Sequence, residues 1–178
     1  MRVFLAINFE ESVKQQFTEV INLLRLQVTE GRFVAKDNLH LTLEFLGDVE
    51  NDRLKIITDI MDSVDAERFV LSLTEMSHFK TRRGKICWLG MEKNQNLLDL
   101  QHHLHLKLAK HHFELEDRDY LPHITVGRKV KLEKNANLKE MNQQVGGINI
   151  PVSTFELMES KVVDGQLTYS TIHSKRLM

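Results

Sequence analysis

The spacing of apolar residues along the chain alternates between the period of a strand and that of a helix. "RVFLAINF" (2–9) is short, continuous and apolar, which predicts a buried strand. Val13, Phe17, Val20/Ile21 and Leu24 then recur at helical intervals, with Ser12 and Gln15 at capping-box spacing. The segment "TEGRFVAKDN" carries no clear period and leads into a strand at 39–46 that closes on Gly47-Asp48. A second helix is predicted at about 51–64, with Leu54, Ile57, Met61 and Val64 on one stripe. "FVLSLTEMSHF" (69–79) and "KICWLGM" (85–91) read as a hairpin across the basic loop "KTRRG", followed by a third helix at roughly 94–112. Another strand spans 122–130, and a short polar helix lies near 134–145. Two last strands, "INIPVSTFELMESKVV" and "QLTYSTIHSKRL", are joined by Asp164-Gly165, a strong hairpin turn.

About seven strands and three or four helices in mixed order, with several hairpins, predict an α+β fold. Each half holds a helix, a hairpin-like pair and one strand containing a histidine, one intervening residue and a threonine. That echo predicts one domain over 1–178, built as two similar lobes whose antiparallel sheets face a central cleft, with helices outside.

The two histidine strands are "NLHLTLEFLG" and "LPHITVGR". Strand side chains alternate between faces, so His40, Thr42 and Glu44 share one side, opposite Leu39, Leu41, Leu43 and Phe45. His123 and Thr125 likewise oppose Ile124 and Val126. With the lobes facing, two imidazoles and two hydroxyls meet in one cleft.

Such a set suits phosphodiester hydrolysis without metal. One neutral imidazole takes a proton from water and one imidazolium protonates the departing oxygen, since an ordinary pKa near 6.5 allows both forms around neutrality. Threonine hydroxyls donate to the non-bridging phosphate oxygens, where charge accumulates. A cyclic phosphate is a fitting substrate, because ring strain already raises its ground state.

Composition narrows the picture further. Lys and Arg total 24 against 25 Asp and Glu, a net charge of −1, which argues against a protein that coats long nucleic acids. The apolar fraction of 42% is too high for disorder. No apolar run is long enough for a membrane helix, and the first residues lack a cleavable leader, so a cytoplasmic protein is expected. A single cysteine, Cys87, excludes an intrachain disulfide and any multi-cysteine metal site.

The residues around the two motifs resemble the RNA 2′,3′-cyclic phosphodiesterase family, long called 2′-5′ RNA ligases, of the two-histidine (2H) phosphoesterase superfamily. "NLHLTLEFLGDV" is similar to the family's first motif nearly residue for residue, and "LPHITVGR" to its second. "GRFVAKDN", "HFKTRRGKICWLGM" and "FELMESKVVDGQLTYSTI" extend the resemblance over essentially the whole chain. It implies a bilobal α+β fold, His40 as general acid, His123 as general base, Thr42 and Thr125 as phosphate ligands, and Arg128 as a further anion contact. It also implies hydrolysis of RNA 2′,3′-cyclic phosphate ends to 2′-phosphomonoesters with no metal or cofactor. Some members join tRNA halves by the reverse 2′-5′ chemistry. The expected partner is an RNA end, with no membrane, and the expected state is a monomer. The chain departs from the family at Phe33, where tryptophan is frequent, and at Ala35-Lys36, where prolines are usual. Arg128 has strand parity opposite to His123, so an undistorted strand aims it away, and Gly127 is a position where a bulge would re-aim it.

Other features carry two readings each. Lys80, Arg82, Arg83 and Lys85 are either RNA-backbone contacts or a solvated hairpin tip. "QHHLHLKLAKHH" reads as a helix with Leu97, Leu100, Leu104 and Leu108 buried, and its adjacent histidine pairs cannot converge on one ion. Trp88 reads as core rather than a stacking platform, Cys87 as buried and inert, and Phe45 as core by parity or as a cleft residue that stacks on a base. Two competing functions use the same motifs: turnover of a small cyclic nucleotide or ADP-ribose cyclic phosphate, and non-catalytic binding of RNA ends.

Overall fold

The computed structural model describes residues 1–178 and holds nine strands and four helices. Strands β1 (Arg2–Asn8), β3 (His40–Asp48), β8 (Thr154–Val163) and β9 (Gln166–Arg176) form one antiparallel sheet in the order β3-β1-β8-β9. Strands β2 (Val28–Phe33), β4 (Phe69–Thr81), β5 (Gly84–Met91), β6 (Ile124–Leu132) and β7 (Asn149–Val152) form the other, in the order β2-β6-β5-β4-β7. The fold is therefore the expected α+β architecture with two antiparallel sheets.

The helices exchange sheets. Helix α1 (Glu11–Arg25) follows a strand of the first sheet but packs with α4 (Lys139–Val145) against the second. Helix α3 (Gln95–Lys110) follows β5 of the second sheet and packs with α2 (Leu54–Asp62) against the first. Both sheets thus bury one face under helices, and their apolar residues merge into one core of 40 buried side chains. Val13, Phe17, Val20, Ile21 and Leu24 form the buried stripe of α1, and Leu97, Leu100, Leu104 and Leu108 that of α3. The opposite face of the first sheet carries only a small apolar group of Phe4, Ala6 and Met158, flanked by Phe45 and Tyr169.

Several sequence expectations require correction. Two strands exceed the expected seven. The aperiodic "VTEGRF" forms β2, because it pairs as an edge strand with β6 and needs no buried face. The long run "INIPVSTFELMESKVV" breaks at Ser153, giving β7 to one sheet and β8 to the other. Ser12 and Gln15 do not cap α1, which starts after Glu10 without a side-chain cap. The second helix opens with a 3-10 turn at Asn51–Arg53, and α4 begins only at Lys139. No helix is long and apolar enough to cross a membrane.

Candidate active site

His40 opens β3 and His123 immediately precedes β6, and these two strands approach each other where the sheets meet. The two imidazoles are held by the same local device. His40 Nδ1 lies 2.7 Å from the carbonyl oxygen of Asn38, and His123 Nδ1 lies 2.7 Å from that of Leu121. A carbonyl only accepts, so each Nδ1 carries the proton, and each Nε2 is the atom left for chemistry. His40 Nε2 is 3.1 Å from Thr42 Oγ1.

Each ring also sits against two aromatic side chains. Phe4 and Tyr169 flank His40 with ring centroids at 4.9 and 5.1 Å. Phe79 and Trp88 flank His123 at 5.4 and 5.8 Å. Burial among these groups, joined by the positive charges of Arg128, Lys14 and His123, holds the pKa of His40 below its ordinary 6.5, against the opposing pull of the Asn38 carbonyl. Burial likewise raises the Tyr169 phenol, while Arg128 and Arg2 pull it down. Arg128 and His123 thus lie close enough to His40 to act on its charge.

Both motif strands are distorted at the same place. Between the pairs Ala6↔Thr42 and Leu5↔Glu44, β3 contains one extra residue, Leu43. Between Trp88↔Thr125 and Cys87↔Gly127, β6 contains one extra residue, Val126. Each bulge falls three residues after the histidine and reverses the alternation beyond it. In β3 the reversal turns Glu44 away from the cleft, correcting the expectation that it shares a face with His40 and Thr42. Its carboxylate is buried at 6% exposure, where it meets His105 Nδ1 at 2.8 Å and Gln101 Nε2 at 3.2 Å on α3. The same reversal brings Phe45 to the cleft side, beside Phe4 and Tyr169.

In β6 the reversal places Gly127 inward and Arg128 outward. A Cβ at Gly127 would stand 3.0 Å from Val130 Cγ2 and 3.4 Å from Phe33 Cδ1, so a larger residue there would press on the core. Lys129 then takes a left-handed backbone, with φ 55°, and Val130 returns to the interior. The distortion that Arg128 needs is therefore present, with its extra residue one position before Gly127.

Thr125 is half-buried beside Trp88 in the ladder. Tyr120, just before the second motif, donates its hydroxyl to the carbonyl of Thr42 at 2.9 Å. The cysteine and the histidine-rich helix play no part in this arrangement. Burial pushes the Cys87 thiol up to about 11, so it stays protonated, and His105 turns toward Glu44. No three His, Cys, Asp or Glu side chains gather anywhere as a metal site.

Residues 10–164 match the model of the 2′-5′ RNA ligase superfamily. The chain belongs to that superfamily. It is 31% identical over 172 residues to the RNA 2′,3′-cyclic phosphodiesterase of Methanothermobacter thermautotrophicus, covering 94% of this chain and 91% of the relative. To the enzyme of the same name from Thermotoga maritima it is 34% identical over 131 residues, covering 72% and 70%. The crystal structure of Escherichia coli LigT complexed with 3′-AMP superposes with a TM-score of 0.81 at 26% identity, covering 99% of this chain and 97% of that one.

The aromatic shells of this superfamily member, and the Tyr120 bridge, lay outside the sequence reading. Phe4 had a faint signal, since "RVFLAINF" is apolar on both faces of a strand whose outer side should be polar. Tyr169 stands among Thr and Ser with no period to mark it. Tyr120 sits in a polar loop and is invisible until the loop is folded.

Proposed function

We propose that this protein is a metal-independent phosphodiesterase that opens 2′,3′-cyclic phosphates at RNA ends to 2′-phosphomonoesters. One observation carries the reading: both imidazoles hold Nδ1 on a carbonyl, which leaves each Nε2, that of His40 beside the Thr42 hydroxyl, as the atom for proton transfer. Binding an RNA end needs cations and hydroxyls, whereas two prepared Nε2 atoms serve proton transfer. The names of the relatives and the nucleotide in the E. coli LigT complex support a nucleotide phosphate as substrate.

In this reading His123 Nε2 takes a proton from water as the water oxygen bonds to phosphorus. The bond from phosphorus to the ribose 3′ oxygen breaks, and His40 Nε2 gives that oxygen its proton. Each transfer contributes about 10²–10⁴-fold in rate. Thr42 and Thr125 donate to the non-bridging oxygens, and Arg128 balances the charge on them. The lowered pKa makes protonated His40 a stronger acid, and the bound phosphate anion supplies the charge that keeps it protonated. With the 5′ hydroxyl of a second RNA in place of water, His123 Nε2 takes that hydroxyl's proton as its oxygen bonds to phosphorus. The bond to the 3′ oxygen breaks and His40 protonates that oxygen, so the halves are joined through a 2′-5′ bond.

The test is turnover in excess chelator of an RNA oligomer ending in a 2′,3′-cyclic phosphate. We expect hydrolysis by wild type and its loss in His40→Ala and His123→Ala. Wild-type-like turnover by either variant overturns the reading. A much higher kcat/KM on a mononucleotide than on the oligomer would assign a small cyclic phosphate instead. The lowered pKa of His40 in the free protein also favours a reversed assignment, with His40 as base. Bis(p-nitrophenyl) phosphate, whose leaving group needs no proton, separates the two. His40→Ala should retain activity on it if His40 is the acid, and His123→Ala should retain it if the roles are exchanged.

A further inference from the structure

A cavity of about 410 Å³ opens beside the catalytic cleft. That lies within the range of small-molecule sites, about 300–1,000 Å³. Its walls include Trp88, Gly90, Leu98, Tyr120 and Leu121, and its polar lining includes Glu75 and Glu92. Trp88 is common to both spaces, because it lines the cavity and also packs against His123 at 5.8 Å. In the ladder Trp88 is the direct partner of Thr125, so a phosphate at Thr125 and a group in the cavity are cross-strand neighbours. A ribose is the right size to join them.

The cavity's chemistry selects the occupant. Glu75 and Glu92 outnumber the lone cation, Lys93, so the lining repels a second phosphate. Carboxylates accept from N–H groups, and Trp88, Tyr120 and Leu121 offer surface to a flat, uncharged ring. The phosphates of the RNA strand have a separate place to go, at Lys80, Arg82, Arg83 and Lys85 on the β4–β5 turn. Gly90 keeps the cavity open: a Cβ there would stand 3.2 Å from both Trp88 Cζ3 and Thr74 Oγ1.

From these features we infer that the cavity receives the nucleobase of the terminal nucleotide and prefers bases bearing an exocyclic amino group, such as guanine or cytosine over uracil. The inference rests on the cyclic-phosphate reading above, and deepens it by naming what the site recognises beyond the phosphate.

Trp88 is the sole tryptophan, so its fluorescence reports on the cavity without any turnover. The 2′-nucleotides 2′-GMP and 2′-CMP should quench it on binding well beyond any change that inorganic phosphate alone produces. Equal effects of nucleotide and phosphate would overturn the assignment. In kinetics, Leu98→Phe should narrow the cavity and raise KM for guanosine 2′,3′-cyclic phosphate, leaving a base-less ribose 2,3-cyclic phosphate unaffected. The double variant Glu75→Gln/Glu92→Gln, on exposed side chains, should remove a preference of about tenfold for guanosine over uridine, the scale of a hydrogen bond to a charged group. Unchanged KM and unchanged preference in these variants would refute the base site. If wild type hydrolyses no cyclic phosphate, the catalytic reading fails, while the quenching comparison still decides whether a base enters the cavity.

Discussion

The Tyr120 hydroxyl donates to the main-chain carbonyl of Thr42 at 2.9 Å, joining the segment before His123 to the threonine two residues after His40. Burial, and then the nearby charge of Glu44, raise the pKa of this phenol, so it remains a donor throughout the working range. The bond ties the segment that leads into His123 to the strand that carries His40. Tyr120→Phe should lower kcat by about tenfold or more, since small misplacements of catalytic groups are costly. Stability should fall by only about 0.5–1.5 kcal/mol. Steady-state kinetics beside denaturant unfolding tests this, and a loss of stability with kcat intact would reduce Tyr120 to a structural bond.

The lowered pKa of His40 has a sign that can be measured. Below about 6.5 the unfolded chain binds a proton that the folded chain resists, so stability should decline as pH falls through the range between the two values. His40→Gln should flatten that part of the profile. An anion in the cleft reverses the preference by favouring the imidazolium, and linkage is reciprocal. Sulfate, whose charge is constant over this range, should therefore raise Tm more at about pH 5.5 than at about pH 7.5. An equal or smaller rise at the lower pH would contradict the placement of an anion beside His40.

Arg128 acts on His40 before any substrate arrives. Removing its charge in Arg128→Gln should move the His40 pKa upward, toward 6.5, as followed by NMR of the ring protons. The same variant should raise KM for a cyclic phosphate by about tenfold, in keeping with a lost charge-assisted contact. An unmoved His40 titration would place Arg128 away from the cleft.

Catalytic rate should follow a bell-shaped curve in pH, since one imidazole must be charged while the other is neutral. The limbs describe the pair and not either ring alone. A flat profile from about pH 5 to 8, with chemistry rate-limiting, would contradict paired proton transfer.

Glu44 is buried against α3 with two donors, one of them half-exposed His105. Glu44→Ala strands those donors and should cost about 1–3 kcal/mol in urea unfolding. Glu44→Gln should cost less, and an effect near zero for both would show that the contact contributes nothing.

The motif strands of this chain were more legible than the distortions within them. The two His-x-Thr segments could be read directly, because alternation in a strand fixes which side chains share a face. The same rule misassigned Glu44, since a bulge at Leu43 restarts the alternation and leaves no mark in an apolar run. It also left Arg128 facing the wrong way until Val126 took the extra position. Helix stripes on α1 and α3 were plain, as their apolar spacing repeats over several turns. Strand β2 was silent because an edge strand exposed on most of its length needs no apolar code. The break at Ser153 was hidden for the opposite reason: both β7 and β8 are apolar enough to read as one.

The matching bulges after His40 and His123 have a consequence for how such a protein can change. Each imidazole is presented by an equivalent stretch of backbone, so the strands themselves do not dictate which ring donates and which receives. In the proposed reaction that division of labour falls to the surroundings: burial and the charges of Arg128 and Lys14 at His40, with phenylalanine and tyrosine around that ring and phenylalanine and tryptophan around the other. Substitutions among those surrounding residues are therefore a route by which descendants of one ancestor could trade the proposed proton roles while the scaffold stays still.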